Sequence, residues 1–391
     1  MLLAFLTGIY SCNEKGQQTG QKSNPEQVTE KNLPFFNNID EVSAKMLAFY
    51  IKQTLDSSEK DLKSPHLKFN DRRIWKTAQK VYQKRNYKPI WETHKENSHL
   101  HQQFLTILDT IDYEGLAPDD YNFKQIKQYL QIEPENSLQK SIHAAVSDVA
   151  LTVAFIKLTR NLRYGRLNPK ELRMRWHIYQ EPQTRPDSLI KTILKSKEIL
   201  PAIENSRPKL NQYQKLRELI KYYTLLKENP GWKNIALGAS LATGANSERV
   251  GQLRKNLMAA GFLGASPDSV PENLFDDALE AALIAYQKRF NIEPTGIAGP
   301  ITLNEMNASM DEKLGRIKIN LERLRWLPED LGEKYIWVNI PDYWLKVVDN
   351  GKPVLQMKII AGKVLRQTPV FSDQIQYLVF SPYWNVPNSM A

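Results

Sequence analysis

The hydrophobic periodicity of this chain changes near Lys334, and that change limits the architectures open to it. Before Lys334, apolar residues recur at intervals of three and four, as on one face of an α-helix. After Lys334, apolar and polar residues alternate, as in a β-strand with one buried face. A long helical part followed by strands predicts a multidomain α+β protein: a mainly helical scaffold, a small three-helix unit and an antiparallel sheet.

Residues 39–232 are predicted to form the helical scaffold. In RRIWKTAQKVYQKRNYKPIW the apolar positions share one helical face, and Pro89 is expected to end that helix. A long stretch that ends at Gly165 is apolar on a broad face, which predicts a core helix. We interpret the Lys and Arg residues of 157–175 as a solvated face, with contact to an anionic glycan or peptide carboxylate as the alternative.

Residues 245–309 predict a compact unit of three helices. The first is expected to be capped by Ser247 and ended by Gly261. In the second, Tyr286 lies on an apolar stripe at helical spacing, which favours a place in the core over contact with a ligand. The turn EPTGIAGP leads to a last short helix that opens near Pro300.

Residues 334–391 predict an antiparallel sheet. The stretch YWLKVVDNGKPVLQMKIIAG gives a strand, a turn at Asn350–Gly351 and a second strand, because both turn positions of Asn-Gly accept positive φ. The stretch IQYLVF predicts a further strand. We expect this sheet to be incomplete, with an unpaired edge and exposed apolar surface.

The first twelve residues, MLLAFLTGIYSC, are the only apolar run near a terminus. They are too short to span a bilayer, which needs about 20 apolar residues, and they match a secretory signal. The only cysteine, Cys12, ends this run, and IYSC resembles the lipobox of bacterial lipoproteins, in which the thiol is acylated. The alternative is an ordinary signal with an incidental cysteine. Residues 13–38 are polar and are expected to form a disordered tether.

The charge of the chain favours acidic partners, since the net charge is +10 and the pI about 9.3. No zinc-finger spacing, Arg-rich arm or Gly-rich phosphate loop accompanies it, so nucleic acid is not an expected partner. We interpret the only histidine cluster, His94, His99 and His101, as solvated loop residues rather than metal ligands. Neither a metal nor a cofactor is predicted.

Three segments of the chain, in this order, resemble a large multidomain murein L,D-transpeptidase. The stretches VYQKRNYKPIW, IDYEGLAPDDY and LTVAFIKLTRNLRYGRLNP are similar to the N-terminal scaffold of that family. Residues 245–309 are similar to a peptidoglycan-binding domain, with its glycines and threonine at Gly296, Gly299 and Thr302. Thr295 stands where the family often has Asp.

Residues 334–391 resemble the opening strands of the family's catalytic domain, including Gly362–Lys363 and Thr368–Pro369. The resemblance implies acyl transfer between peptidoglycan stem peptides through a cysteine thioester. The family's His-x-x-Gly and Ser-His-Gly-Cys-x-Arg motifs are absent from residues 1–391, so no catalytic residue is assigned. We expect the chain to be truncated before these motifs and to be inactive as given.

The resemblance leaves binding residues as the candidates. Thr368, Tyr383 and Trp384 are candidate substrate contacts, although packing within the sheet is an equal alternative for the two aromatic residues. Gly296, Gly299 and Thr302 belong to loops that flank a candidate peptidoglycan-binding groove. The basic charge of the chain fits peptidoglycan, whose stem peptides carry carboxylates.

The rival interpretation is a non-catalytic peptidoglycan-binding lipoprotein of the envelope, and a weaker one is a helical interaction scaffold. The two peptidoglycan interpretations imply a bacterial, periplasmic location with peptidoglycan as the partner. Acylation of Cys12 would add a membrane anchor.

Overall fold

The computed structural model describes residues 41–60, 71–91, 99–172, 175–178, 186–264, 270–329, 331–363, 366–383 and 386. The predicted signal segment with Cys12, the tether and Trp384 lie outside the described residues. In the described part, twelve α-helices precede one three-stranded antiparallel sheet. The predicted multidomain α+β class is therefore confirmed.

Eight helices form the first part of the protein. In chain order they are α1 (Glu41–Lys60), α2 (Arg72–Lys84), α3 (Leu100–Asp109), α4 (Phe123–Leu130), α5 (Ser137–Tyr164), α6 (Pro186–Ser196), α7 (Leu200–Glu204) and α8 (Asn211–Glu228). Two short 3-10 turns, Ile111–Glu114 and Pro118–Tyr121, join α3 to α4. Most of the buried side chains of α1 to α7 belong to one hydrophobic core.

Helix α5 is the centre of this core, as its broad apolar face predicts. Helices α1 and α2 pack against it, and most of its residues are buried. By length and composition it could cross a bilayer, yet 83% of its most apolar window is buried inside the protein, as in a core helix. It ends at Gly165, where φ is +82° and a Cβ atom would collide with the indole of Trp326.

Helix α2 buries the face that its apolar spacing predicts, formed by Ile74, Trp75, Ala78, Val81 and Tyr82. The Tyr82 hydroxyl donates to the buried carboxylate of Asp148 on α5, and burial together with that carboxylate raises the pKa of Tyr82 well above its usual range. The helix ends at Lys84, before Pro89, because Asn86 and Tyr87 take left-handed backbone conformations.

The predicted three-helix unit consists of α9 (Glu248–Ala259), α10 (Asp277–Arg289) and α11 (Pro300–Asn307), around a second core. Tyr286 is buried in that core, as predicted. Ser247 does occupy the N-cap position of α9, but its side chain makes no capping hydrogen bond, so the prediction of a serine cap is wrong in its chemistry.

A further helix, α12 (Met310–Arg325), was not predicted from the sequence. It packs along α8 and shares a third cluster of buried residues with that helix. Helix α12 therefore connects the helical part, the three-helix unit and the sheet that follows it.

A hydrogen-bond network around the buried Glu114 holds α12 in place. Glu114, at the end of the first 3-10 turn, is only 2% exposed and accepts hydrogen bonds from Arg207 Nε at 2.8 Å and Tyr213 Oη at 2.7 Å. Arg217 Nε on α8 lies 2.6 Å from the same carboxylate. From α12, the buried Arg325 donates to the Glu114 carbonyl and, at 2.8 Å, to the Tyr213 hydroxyl.

Four basic residues of the predicted solvated face hold neighbouring segments. Lys157 Nζ donates to the Asp120 carbonyl at 2.6 Å, and Arg166 pairs with the Asp120 carboxylate at 2.8 Å. Arg163 pairs with Glu329, and Arg175 donates to the Gln367 carbonyl at 3.1 Å. These side chains are partly solvated, but their charges already have partners in the protein.

The sheet has the order β1 (Lys334–Asn339), β2 (Trp344–Asp349), β3 (Lys352–Lys358), all antiparallel. The predicted hairpin turn is confirmed, with φ of +49° at Asn350 and +75° at Gly351. The predicted strand IQYLVF is wrong: residues 375–380 form no ladder with the described strands, and an extended segment becomes a strand only when a neighbouring backbone pairs with it. The expected exposed apolar surface is present, for example at Val354 and Leu355.

We predict that Glu114→Gln lowers the free energy of unfolding by about 3 kcal/mol, because it leaves Arg207 and Arg217 facing a neutral group in a buried site. Urea unfolding of the two proteins measures the difference. Glu218→Gln, the same change at an exposed position of α8, is the control and is expected to shift stability by less than about 0.5 kcal/mol. Equal stability of the two variants would contradict this role of Glu114.

Candidate functional site

The loop between α10 and α11 is built around one buried side chain, Gln287. Its Oε1 accepts from the Gly296 backbone N–H at 3.0 Å. Its Nε2 donates to the Ile297 carbonyl at 3.0 Å and to the Thr302 hydroxyl at 3.1 Å. Two of the three predicted peptidoglycan-binding residues, Gly296 and Thr302, are thus held together by a glutamine that the sequence did not single out.

The three predicted residues occupy different environments in this loop. Gly296 has φ of +72°, and a Cβ atom there would come within 2.9 Å of Glu280 Cγ, so the position requires glycine. Thr302 is only 2% exposed and directs its hydroxyl to Gln287. Gly299 lies beside Ser240, whose Oγ would be 3.6 Å from an added Cβ. Gly296 and Thr302 therefore shape the loop from within.

Thr295 supports the same turn. The Ile297 backbone N–H donates to its Oγ1 at 3.2 Å, as it can to the side chain of an Asp at such a position. Thr295, although it stands in place of Asp, therefore keeps the hydrogen bond between side chain and backbone that supports this turn.

The outer side of this loop exposes apolar side chains. Ile297 is 44% exposed and Ile301 is 75% exposed. The segment that contains Leu241 lies beside this loop and is joined to it by two backbone hydrogen bonds between Leu241 and Ala298, of 3.2 and 2.9 Å. We call the surface formed by Ile297, Gly299 and Ile301 the loop face.

In the C-terminal part, Thr368 belongs to a tight loop that begins at Gly362. The Gly362 N–H donates to Thr368 Oγ1 at 2.8 Å. A Cβ atom on Gly362 would lie 1.9 Å from the Arg366 carbonyl oxygen, so only glycine fits there. The half-buried Thr368 hydroxyl thus orders the loop as an acceptor, and its own O–H group can still donate a hydrogen bond to another molecule.

The helical part holds this loop through main-chain contacts. The Val370 N–H donates to the Arg175 carbonyl at 2.9 Å, and the His177 N–H donates to the Val370 carbonyl at 2.7 Å. Between them, Trp176 packs edge-on against Trp326, with ring centroids 5.1 Å apart. We call this contact the Arg175–Val370 clip. It places Thr368 at a fixed distance from the scaffold.

The other two predicted substrate contacts are less defined. Tyr383 is 99% exposed and is not packed against the sheet within the described residues. Trp384 and Cys12 lie outside the described residues. The structure therefore brings Thr368 and Gly362 together but does not join Tyr383 to them.

One histidine differs from its interpretation as a solvated loop residue. His101 lies on α3 and is 1% exposed. Burial, with a smaller contribution from the charge of His99, lowers the pKa of His101 to about 4. No group of three or more His, Cys, Asp or Glu side chains capable of holding a metal occurs in the part of the chain that the structure describes.

The pKa of His101 predicts a pH dependence of stability. The unfolded chain has a histidine pKa near 6.5, above the folded value of about 4, so the unfolded state takes up the proton first as pH falls. Stability is therefore complete above pH 6.5 and is lost between pH 6.5 and 4, by about 3 kcal/mol. His101→Gln should reduce that loss in urea unfolding by a similar amount.

His177→Gln is the control for this measurement, because His177 is exposed. It is expected to keep the full pH dependence. A residual slope in His101→Gln is expected from His143, whose pKa burial also lowers. An unchanged slope in His101→Gln would contradict the assignment.

Comparison with known proteins follows the same division of the chain. The family model of a scaffold domain matches residues 76–220, that of a putative peptidoglycan binding domain matches 246–306, and that of an L,D-transpeptidase catalytic domain matches 333–391. A putative L,D-transpeptidase of Haemophilus influenzae is 35% identical over 72 residues. That match covers 18% of this chain and 14% of the relative's length.

The three segments thus match, in order, a scaffold domain, a putative peptidoglycan binding domain and an L,D-transpeptidase catalytic domain. The predicted resemblance to a multidomain L,D-transpeptidase is therefore confirmed at the level of these domain matches.

Proposed function

We propose that the protein is a peptidoglycan L,D-transpeptidase that crosslinks stem peptides in the bacterial cell envelope. The observation that carries this proposal is the match of residues 333–391 to an L,D-transpeptidase catalytic domain. The Arg175–Val370 clip supports it, because it orients the loop of Thr368 relative to the scaffold. The proposed domains are the scaffold at 39–232, the peptidoglycan-binding unit at 245–309 and the catalytic part from 334 onward.

The proposed reaction has two acyl-transfer steps. A cysteine thiolate attacks the carbonyl of the third residue of a stem tetrapeptide, forms a thioester and releases D-Ala, whose amine takes up a proton. The amine of a second stem peptide then attacks the thioester, forms the crosslinking amide and returns the thiolate. Residues 1–391 contain one cysteine, Cys12, in a segment that matches a secretion signal.

We therefore assign residues 1–391 to wall binding and substrate approach rather than to the chemical step. Thr368, Tyr383 and Trp384 are the proposed substrate contacts within this part. The Thr368 hydroxyl is suited to this role because it is positioned by the Gly362 N–H and can itself donate to a substrate carbonyl.

We predict that purified protein of residues 1–391 forms no crosslinks between tetrapeptide stems, because no thiol follows Cys12. Mass spectrometry of the digested peptidoglycan measures the products. Cys12→Ser is the matched control and should give the same background. A crosslinked product formed by residues 1–391 would overturn the assignment, and its loss in Cys12→Ser would identify Cys12 as the nucleophile.

Peptidoglycan is the proposed partner of the three-helix unit, and the loop face is its proposed contact. Exposed apolar side chains beside a rigid, glycine-containing loop suit the apolar faces of sugar rings and peptide methyl groups. The loop is fixed from within by Gln287, so little order has to be gained on binding.

We predict that Ile301→Glu weakens binding to purified sacculi about tenfold, since it places a charge among the stem carboxylates at the centre of the loop face. Co-sedimentation with sacculi measures the affinity. Ile319→Glu on α12 is the control, because Ile319 is 54% exposed and lies outside the loop face. Equal binding by the two variants would exclude the loop face as the contact.

A second proposal is a non-catalytic peptidoglycan-binding envelope lipoprotein acylated at Cys12. The observation that favours it is that the three-helix unit has a core of its own, as a self-sufficient binding module does. The two proposals differ in whether a cysteine motif follows in the gene. Reading the gene beyond the codon for Ala391 decides between them: a Ser-His-Gly-Cys-x-Arg stretch in frame supports the enzyme, and an immediate stop supports the binding protein.

A further inference from the structure

Helix α2 carries a row of positive charge along its exposed side. It contains five basic residues and no Asp or Glu. Arg72, Lys76, Lys80 and Lys84 follow one another at intervals of four, so they lie along one side of the helix, and all four are exposed. We call these four residues the basic stripe.

Within the described residues, only one member of the basic stripe has a counter-charge. Lys84 pairs with Asp187 at the start of α6. Among the described residues, Arg72, Lys76 and Lys80 have no ion-pair partner. Like charges four residues apart repel one another and destabilise a helix, so the stripe carries an internal repulsion that an anionic partner would relieve.

The opposite side of α2 holds the stripe rigidly. Ile74, Ala78 and Val81 are at most 3% exposed in the main core, and Tyr82 is bonded to Asp148 on α5. From Arg72 to Lys84 the helix rises about 18 Å. The charges therefore form a row of fixed spacing that winds by about 120° around the helix between Arg72 and Lys84.

Further basic residues surround the stripe. Lys52 on α1 lies over the ring of Tyr87, with its Nζ 5.8 Å from the ring centroid, and Lys88 is exposed nearby along the chain. At the start of α2, the Asp71 carboxylate accepts from the Arg73 and Ile74 N–H groups.

The basic charge of the chain does not lie on the peptidoglycan-binding unit. The matched residues 246–306 contain 5 Lys and Arg against 8 Asp and Glu, whereas residues 76–220 contain 24 against 16. The unit that would bind the wall is therefore net negative and the scaffold is net positive. Because the proposed wall-binding unit is not the basic one, this distribution favours an anion other than peptidoglycan as the partner of the scaffold.

We propose that the basic stripe docks the scaffold onto a membrane surface rich in anionic phospholipid. A row of exposed charges along one helix selects charge density rather than the shape of one molecule, and a surface of lipid phosphates provides that charge density. The inference does not depend on transpeptidase activity or on acylation of Cys12. Membrane docking would keep α2 against the bilayer and leave the loop face free for the wall.

The test is co-sedimentation of the full chain with vesicles, at low salt. The probe vesicles are phosphatidylethanolamine with phosphatidylglycerol, and the reference vesicles are phosphatidylcholine alone. The double variant Lys76→Gln/Lys80→Gln is expected to bind the anionic vesicles about 25-fold more weakly, since each basic residue near such a surface contributes a factor of about five. Both side chains are exposed, so the fold is retained, and urea unfolding verifies this.

The matched control is Lys215→Gln/Lys221→Gln on α8, which removes the same charge from exposed positions outside the stripe. It should retain most of the vesicle binding. An equal loss in both variants, equal binding to both kinds of vesicle, or no binding to the anionic vesicles would overturn the proposal. So would a stripe variant that loses binding to sacculi but not to vesicles, because the wall polymer would then be the partner.

Discussion

The buried carboxylate of Glu114 is the interaction on which the arrangement of the parts depends. It binds Arg207, Arg217 and Tyr213. From α12, Arg325 donates to the Glu114 backbone carbonyl and to the Tyr213 hydroxyl. Charges so deeply buried are stable only when all of them are paired, so each segment that supplies one is held to the others. The position of α12 then sets that of Trp326, against which Trp176 and the Arg175–Val370 clip are placed.

The proposed functions fall on three different units: the loop face, the loop of Thr368 and the basic stripe. The clip joins the scaffold to the Thr368 loop, and the third cluster of buried residues joins α8 and α12 to the three-helix unit. Under the proposed function, such connections would hold a bound wall and a substrate loop in a set arrangement. The opposite net charges of the scaffold and the three-helix unit fit the proposal that the two have separate ligands.

Apolar spacing was sufficient to predict α2, α5, the three-helix unit and the Asn350–Gly351 hairpin, because each buries a regular apolar face. It did not reveal α12, whose buried positions include Lys313 and Arg325 and so interrupt the hydrophobic pattern. Gln287 and the clip were missed for the same reason, since polar contacts between distant segments leave no period in the sequence. His101 did have a signal: it shares a helical face with Phe104 and Leu108, which are buried. Residues 375–380 pair with none of the described strands. The local sequence pattern cannot show whether a segment will find a neighbouring strand to pair with.

The clip joins the scaffold to the Thr368 loop through main-chain groups at Arg175, His177 and Val370. At His177 and Val370, almost any side chain leaves those groups in place, so these two positions can change while the attachment persists. Proline is the exception at His177 and Val370, because it has no N–H to donate. At these two positions the clip would consequently not require particular residues in relatives. Its only sequence signature there would be the avoidance of proline.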